Sequence, residues 1–188
     1  INSGHVRVFQ NSENNWIQIG QDIDGEFSGD LSGSSISISG DGNLIAIGGR
    51  KNDGINGVNS GHVRIFYYDS ENLLWKQLGN DIDGGSSGDL FGHYVSISSD
   101  GRSVAIGSPV SNSYKGETKV YRYDDKTFLW NQIGQSILGE NYDSWSGYTV
   151  ALSGDGKSLI IGDYSTTSWN TGIGAQSRIF TFDESTSL

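Results

Sequence analysis

Asp22, Asp24 and Asp30 recur as Asp81, Asp83 and Asp89, so the chain carries two copies of "DIDG", each with a further aspartate downstream. Clustered carboxylates supply the hard oxygen ligands that calcium takes. The spacing lacks the alternating acidic positions of an EF-hand loop, and the third copy of the segment reads "SILGENYDSW". Turn capping, in which the short aspartate side chain hydrogen-bonds nearby backbone, accounts for the same residues without an ion. This reading requires no cofactor, and calcium is the ion the two triplets would take.

His5 and His62 share one repeat position and His93 holds another. With no cysteine and no His-Glu-x-x-His spacing, they form no zinc or general-base motif. At a strand edge, where the third copy has Glu117, they read as solvated or turn-bonding residues. Arg7, Arg64, Lys119 and Arg178 alternate with apolar residues in "VRVF", "VRIF", "TKVY" and "SRIF". A cation at the same place in four strands is expected to face outward and pair with the repeated aspartates. Glu140, Asp143 and Asp163 depart from the repeat and are the acids a glycan-cleaving enzyme would need. "GDGKS" (Gly154 to Ser158) lacks the first glycine of a phosphate loop and falls on a hairpin turn found in every copy.

The elements that must position these residues are repeated. Trp16, Trp75 and Trp130 align, and with them Gly20, Gly79 and Gly134, then Gly33, Gly92 and Gly147, and the Asp-Gly pairs at Asp41, Asp100 and Asp155. Self-similarity at this period marks a repeat architecture. The units are a partial one over 1–32, repeats over 33–91 and 92–146, and a partial one over 147–188, together one repeat domain. Four segments per unit alternate with the period of two expected of strands: Tyr94–Ser98, Ser103–Gly107, His62–Tyr67 and Trp75–Ile82. Ser-Asp-Gly or Gly-Asp-Gly joins the first two as a hairpin, because Asp and Gly tolerate the positive φ of tight turns. No 3.6-residue apolar period occurs, so essentially no helix is expected.

Four antiparallel strands per unit define a propeller blade, and the fold class is all-β with propeller-type repeats. The chain opens with the last two strands of a unit, runs through two full units and ends with three strands of another at "SRIFTF". That makes about three blades, whereas propellers close with about four to eight. Closure is expected to need further repeats or a second chain, most simply through pairing of open blade edges between copies. The repeated tryptophans are expected to pack between neighbouring blades, since a core position recurs in every blade and a ligand needs only one.

The net charge of −10 and pI near 4.5 argue against nucleic acid or an anionic membrane as partner, both of which select a clustered basic surface. No apolar run approaches the ~18 residues that span a bilayer. Ile1 is not a start methionine, and the sequence opens inside a repeat.

The combination "GHVRVF…W.QIG..I.G…D..G…S.S.DG..IAIG" resembles the propeller repeats of cell-surface proteins of bacteria and marine microbes, distant relatives of the FG-GAP repeats of integrin α-subunits. The likeness spans nearly the whole chain, and "FGHYVSIS" followed by "SVAIGSP" (Phe91 to Pro109) is its nearest match. In that family, the loop between these two strands often holds calcium through spaced Asp or Asn. Here it has shrunk to Ser-Asp-Gly with one carboxylate, and that site is not carried over. The resemblance implies a non-enzymatic, extracellular or cell-surface module of adhesion type that contacts protein or carbohydrate. A structural unit of an oligomer or filament and a glycan-cleaving propeller are the alternatives.

Overall fold

The Ser-x-Asp-Gly turn folds identically in three places. Ser98 Oγ donates to the Asp100 carboxylate (2.5 Å), the Arg102 N–H donates to the same oxygen (2.9 Å), and the Ser103 N–H closes the ring on Ser98 Oγ (3.0 Å). Gly101 sits at φ +70°, a conformation that is cheap only without a Cβ. The same bonds tie Ser39 to Asp41 and Ser153 to Asp155. The serine hydroxyl, then the backbone N–H, hold the Asp41 and Asp155 carboxyls below the usual range.

A computed structural model describes residues 2–164 and 176–182. Each turn joins the first two strands of a blade. In the first, partial blade, β1 (His5–Val6) and β2 (Phe9–Ser12) run antiparallel to β3 (Asn15–Gln18) and β4 (Ile23–Asp24), β1 pairing β4 and β2 pairing β3 as one bent hairpin. The second blade is β5 (Ser32–Ile38), β6 (Leu44–Gly49), β7 (His62–Asp69) and β8 (Leu74–Gln77), in that order, with β9 (Ile82–Asp83) on the start of β7. The third is β10 (Tyr94–Ile97), β11 (Ser103–Ser108), β12 (Glu117–Asp124) and β13 (Leu129–Leu138). The fourth has β14 (Thr149–Leu152), β15 (Ser158–Gly162) and β16 (Ser177–Thr181), and the rest of its unit, 165–175 and 183–188, lies outside the described residues. Against the expectation of no helix, one turn, α1 (Ser111–Tyr114), links β11 to β12, and Asn112 and Ser113 within it are left-handed.

Alternation along the innermost strands stitches the blades together. The Val95 and Ile97 N–H groups donate to Ser35 and Ser37 Oγ (2.9 and 3.0 Å), and the Leu152 N–H donates to Ser96 Oγ (2.9 Å). Serine at every second position thus serves the backbone of the next blade, while the intervening residues face the previous one. Val95 and Ile97 are buried there, but their counterparts Ile36 and Ile38 are 60% and 53% exposed, because among the described residues no inner strand of the first blade covers them.

At the outer edge, tryptophan locks into glycine. The Trp75 indole N–H donates to the Ile19 carbonyl (3.0 Å), and its ring lies where a Cβ on Gly20 would come within 2.6 Å. The Gln21 side chain clamps the Trp75 backbone, accepting from its N–H (2.9 Å) and donating to its carbonyl (2.8 Å). Trp130 repeats the lock with the Leu78 carbonyl and Gly79, and Asn80 accepts from its backbone N–H while donating its own amide to the Asp81 carbonyl. Both rings are buried, at 3% and 4% exposure. Trp16, expected to share this packing, is 70% exposed, since no blade precedes it among the described residues to supply a receiving glycine.

Candidate functional site

In the first three blades the connections from second to third strand and from one blade to the next lie at the same end, bound by recurring backbone rungs. Leu31 N–H donates to the Asn2 carbonyl (3.4 Å), Leu90 to Asn59 (3.2 Å) and Trp145 to Tyr114 (3.0 Å). All six residues take the same left-handed backbone, φ between 50° and 66°. The framework is constant, and only the third copy fills it with aromatics. Tyr114 replaces asparagine and Trp145 replaces leucine, which stacks their rings at 5.6 Å and 25°.

Two further departures from the repeat extend the stack. Tyr148 stands where the other copies have Ser34 and His93, and Tyr164 stands where they have Arg50 and Pro109. Tyr148 stacks on Tyr164 (4.9 Å, 25°), Trp145 meets Tyr164 edge-on (6.4 Å), and His93 packs on the other side of Tyr148 (5.0 Å). Tyr142 is covered by the Lys115 ammonium at 4.7 Å. Tyr114, Tyr142 and Tyr164 are 50%, 69% and 53% exposed. A stack of half-open aromatic rings rimmed by hydroxyls is costly to leave in water and offers flat apolar faces edged by hydrogen-bonding groups.

The corresponding end of the first and second blades carries charge. The loop after β4 folds over the start of β7, bringing Glu26 to His62 and Arg64. His62 Nδ1 lies 3.9 Å from Glu26 Oε2 and 3.9 Å from Asp81 Oδ2, and the Arg64 guanidinium lies 3.5 Å from Glu26 Oε1. Burial, then Arg64, pushes the His62 imidazole below its usual pKa. Burial pushes the Glu26 carboxyl up, reinforced by Asp81, Asp30 and Asp83 and opposed by Arg64.

This geometry corrects two expectations. His62 and Arg64 are buried (1% and 6% exposed), not solvated, because the preceding blade's loop covers them. Only Arg7, in the first blade, is exposed and paired with a repeated aspartate, Asp22 (3.0 Å). Arg64 instead donates to the Asp24 carbonyl (2.7 Å), and Arg178 donates to the equivalent Leu138 carbonyl (2.9 Å), so this cation ties the second and fourth blades to their predecessors, whereas Lys119 in the third pairs with Glu117 on its own strand (3.3 Å).

Neither aspartate triplet converges on an ion. Asp22 is held by Gln18 and Arg7, which keep its carboxyl below the usual range, and Asp24 is exposed. Asp30 is buried and accepts from the Phe27 N–H (2.8 Å) and Asn52 (3.3 Å). Asp89 accepts from the equivalent Ser86 N–H, and its carboxyl is pushed up mainly by burial. Both are turn caps. Asp83 is half-buried, its carboxyl raised by burial and then by Asp81. Among the described residues, the one group that could hold a metal is Glu26, His62 and Asp81. Of the non-consensus acids, Glu140 is exposed, Asp143 is half-buried, and the Asp163 side chain is 5% exposed and 4.0 Å from Arg178.

Tyr114, Trp145, Tyr148 and Tyr164 depart from the repeat just as Glu140, Asp143 and Asp163 do, and that departure is the sequence signal that marks the stack.

No family model matches the chain, and no curated protein matches it. Solved structures do. A Bacteroides fragilis protein assigned as a 6-phosphogluconolactonase superposes with a TM-score of 0.52 at 20% identity, over 73% of this chain and 34% of its own. The periplasmic gluconolactonase PpgL of Pseudomonas aeruginosa gives 0.49 at 16%, over 84% and 42%. TolB of Acinetobacter baumannii gives 0.46 at 16%, over 87% and 33%. The first of these carries the likeness to a propeller-type fold, and the chain spans about a third to two fifths of the length of the three. At these identities, the likeness is one of fold.

Proposed function

We propose that this chain is a non-enzymatic, extracellular or cell-surface binding module of adhesion type that takes carbohydrate on the aromatic stack of Tyr114, Trp145, Tyr148 and Tyr164. The observation that carries this is the replacement of four repeat positions by aromatics at one blade junction alone. A packing role would recur in every blade, and a ligand needs one site. Flat rings cover the C–H face of a sugar ring, while the tyrosine hydroxyls meet its polar edge. The sequence resemblance to FG-GAP-type surface repeats supports the same reading. The test is a glycan array probed with the wild type and with Trp145→Leu and Tyr114→Asn, which restore the residues of the other copies. Loss of binding by about tenfold or more in both variants is expected. A chain that binds no glycan, or variants that bind as well as wild type, would refute it, and retention of a protein ligand by the stack would redirect it to protein adhesion.

A second reading, assembly through open blade edges, is favoured by the outer-edge lock. Gly134 aligns with Gly20 and Gly79, yet among the described residues no atom lies within 4 Å of where its Cβ would be. It borders a cavity of about 810 Å³ between the third and fourth blades, lined by Val120, Ile133, Leu159 and Phe180. An exposed tryptophan at one end and an open receiver at the other are complementary surfaces for copies of this chain. Light scattering over a concentration series tests this, and a strict monomer would sink it.

A further inference from the structure

We propose that Glu26, His62 and Asp81 bind one divalent transition-metal ion, which bridges the first blade to the second. The site is independent of the aromatic stack. His62 is the anchor: its side chain is 2% exposed, and its Nδ1 points between two carboxylate oxygens, 3.9 Å from each, too far for a hydrogen bond to either. A buried imidazole facing two acids beyond hydrogen-bond reach has the spacing of ligands around an ion.

The other oxygen of each carboxylate is already engaged. Glu26 Oε1 faces Arg64 at 3.5 Å, and Asp81 Oδ1 accepts from the Gln77 amide at 2.6 Å. These contacts aim Oε2 and Oδ2 at His62 and act as the outer partners that orient metal ligands. The three donor atoms lie within 4.8 Å of one another. Ligands at the ~2.0–2.2 Å of zinc–nitrogen and zinc–oxygen bonds stand about 3.4 Å apart at tetrahedral angles, so each carboxylate oxygen must draw in by about half an ångström toward Nδ1 and the two oxygens by up to about 1.4 Å toward each other. Glu26, on a loop with its side chain 35% exposed, is free to supply that movement. One imidazole with two carboxylates suits Zn²⁺, Co²⁺ or Mn²⁺, whereas Ca²⁺ takes oxygen ligands alone.

Among the described residues the constellation occurs once. At the next junction the equivalent residues are Gly85, Glu117 and Ser136, and Glu117 is neutralised by Lys119 at 3.3 Å. Asp22, the counterpart of Asp81, is occupied by Arg7.

The experiment is titration of the full chain with Co²⁺, read by its visible ligand-field absorption, and with Zn²⁺, read by calorimetry and thermal melting. Saturable binding near one ion per chain and a raised melting temperature are expected. Glu26→Gln and Asp81→Asn should each weaken binding at least about tenfold while melting normally without metal. Asp22→Asn should leave it unchanged. His62→Gln should abolish the absorption, and should it fold poorly, the two carboxylate variants still decide the matter. No saturable uptake of either ion, or uptake that survives Glu26→Gln and Asp81→Asn, would overturn the assignment.

Discussion

The junction between the first and second blades and the junction between the third and fourth share a backbone and a bridging arginine, and differ in most other side chains attached to it. In both, left-handed residues in two loops are joined by the same rung, Leu31 to Asn2 in one and Trp145 to Tyr114 in the other. The first junction is closed by Trp75 on Gly20 and carries buried charge at its open end. At the last, the glycine has no tryptophan within the described residues, and the end carries stacked rings. A repeat holds its geometry through main-chain bonds and a few small or capping residues. Side chains on the loops are then free to differ from blade to blade, and chemistry belongs where they do.

The comparison breaks most readily at the tryptophan locks. Trp130→Ala removes a buried indole and should cost about 3–5 kcal/mol in urea denaturation, whereas Trp16→Ala should cost under about 0.5 kcal/mol in the monomer. Equal losses would mean that Trp16 is also covered in solution. The receiving glycines come next. Gly79→Ala sets a Cβ 2.9 Å from Trp130 at φ +78° and should cost about 2–4 kcal/mol, but Gly134→Ala, at φ +66° with nothing to strike, only about 1–2 kcal/mol. A smaller gap between the two melting curves would show that the cavity beside Gly134 is filled. In the loops, Trp145→Leu and Tyr114→Asn should leave stability within about 0.5 kcal/mol of wild type, since the other copies use those residues on the same backbone.

Smallest is a pH effect confined to the charged junction. The folded pKa of His62 is below its unfolded value, so the unfolded chain takes the proton first, and stability is lost as pH falls through about 6.5. The raised carboxyl of Glu26 acts with the opposite sign, and its contribution, largest at acid pH, fades as pH rises from about 4.5. Melting between pH 7.5 and 5.5 should therefore fall more in wild type than in His62→Gln. An identical fall in both proteins would place the titrating group elsewhere.

Much of the fold was legible because its causes are local. Alternation marks the strands, and Ser-x-Asp-Gly closes each hairpin through bonds spanning at most five residues. The turn-capping role of Asp30 and Asp89 was readable for the same reason. The site was less so. The alternation of Arg64 with Val63 and Ile65 suggested an outward cation, and only the loop carrying Glu26, from the preceding blade, buries it.

By itself, then, the sequence determined the repeat, the four-stranded unit and the turns, all of which follow from period, glycine and capping chemistry within one unit. The tertiary structure decided which members of a repeated set differ. It set Trp16 in solvent and Trp75 in the core, gathered Tyr114, Trp145 and Tyr164 into one stack, and brought Glu26 and Asp81 to either side of His62. The physical reason is that each of these outcomes depends on a neighbouring blade, supplied by residues far away along the chain, and repeat periodicity is silent about what that neighbour covers.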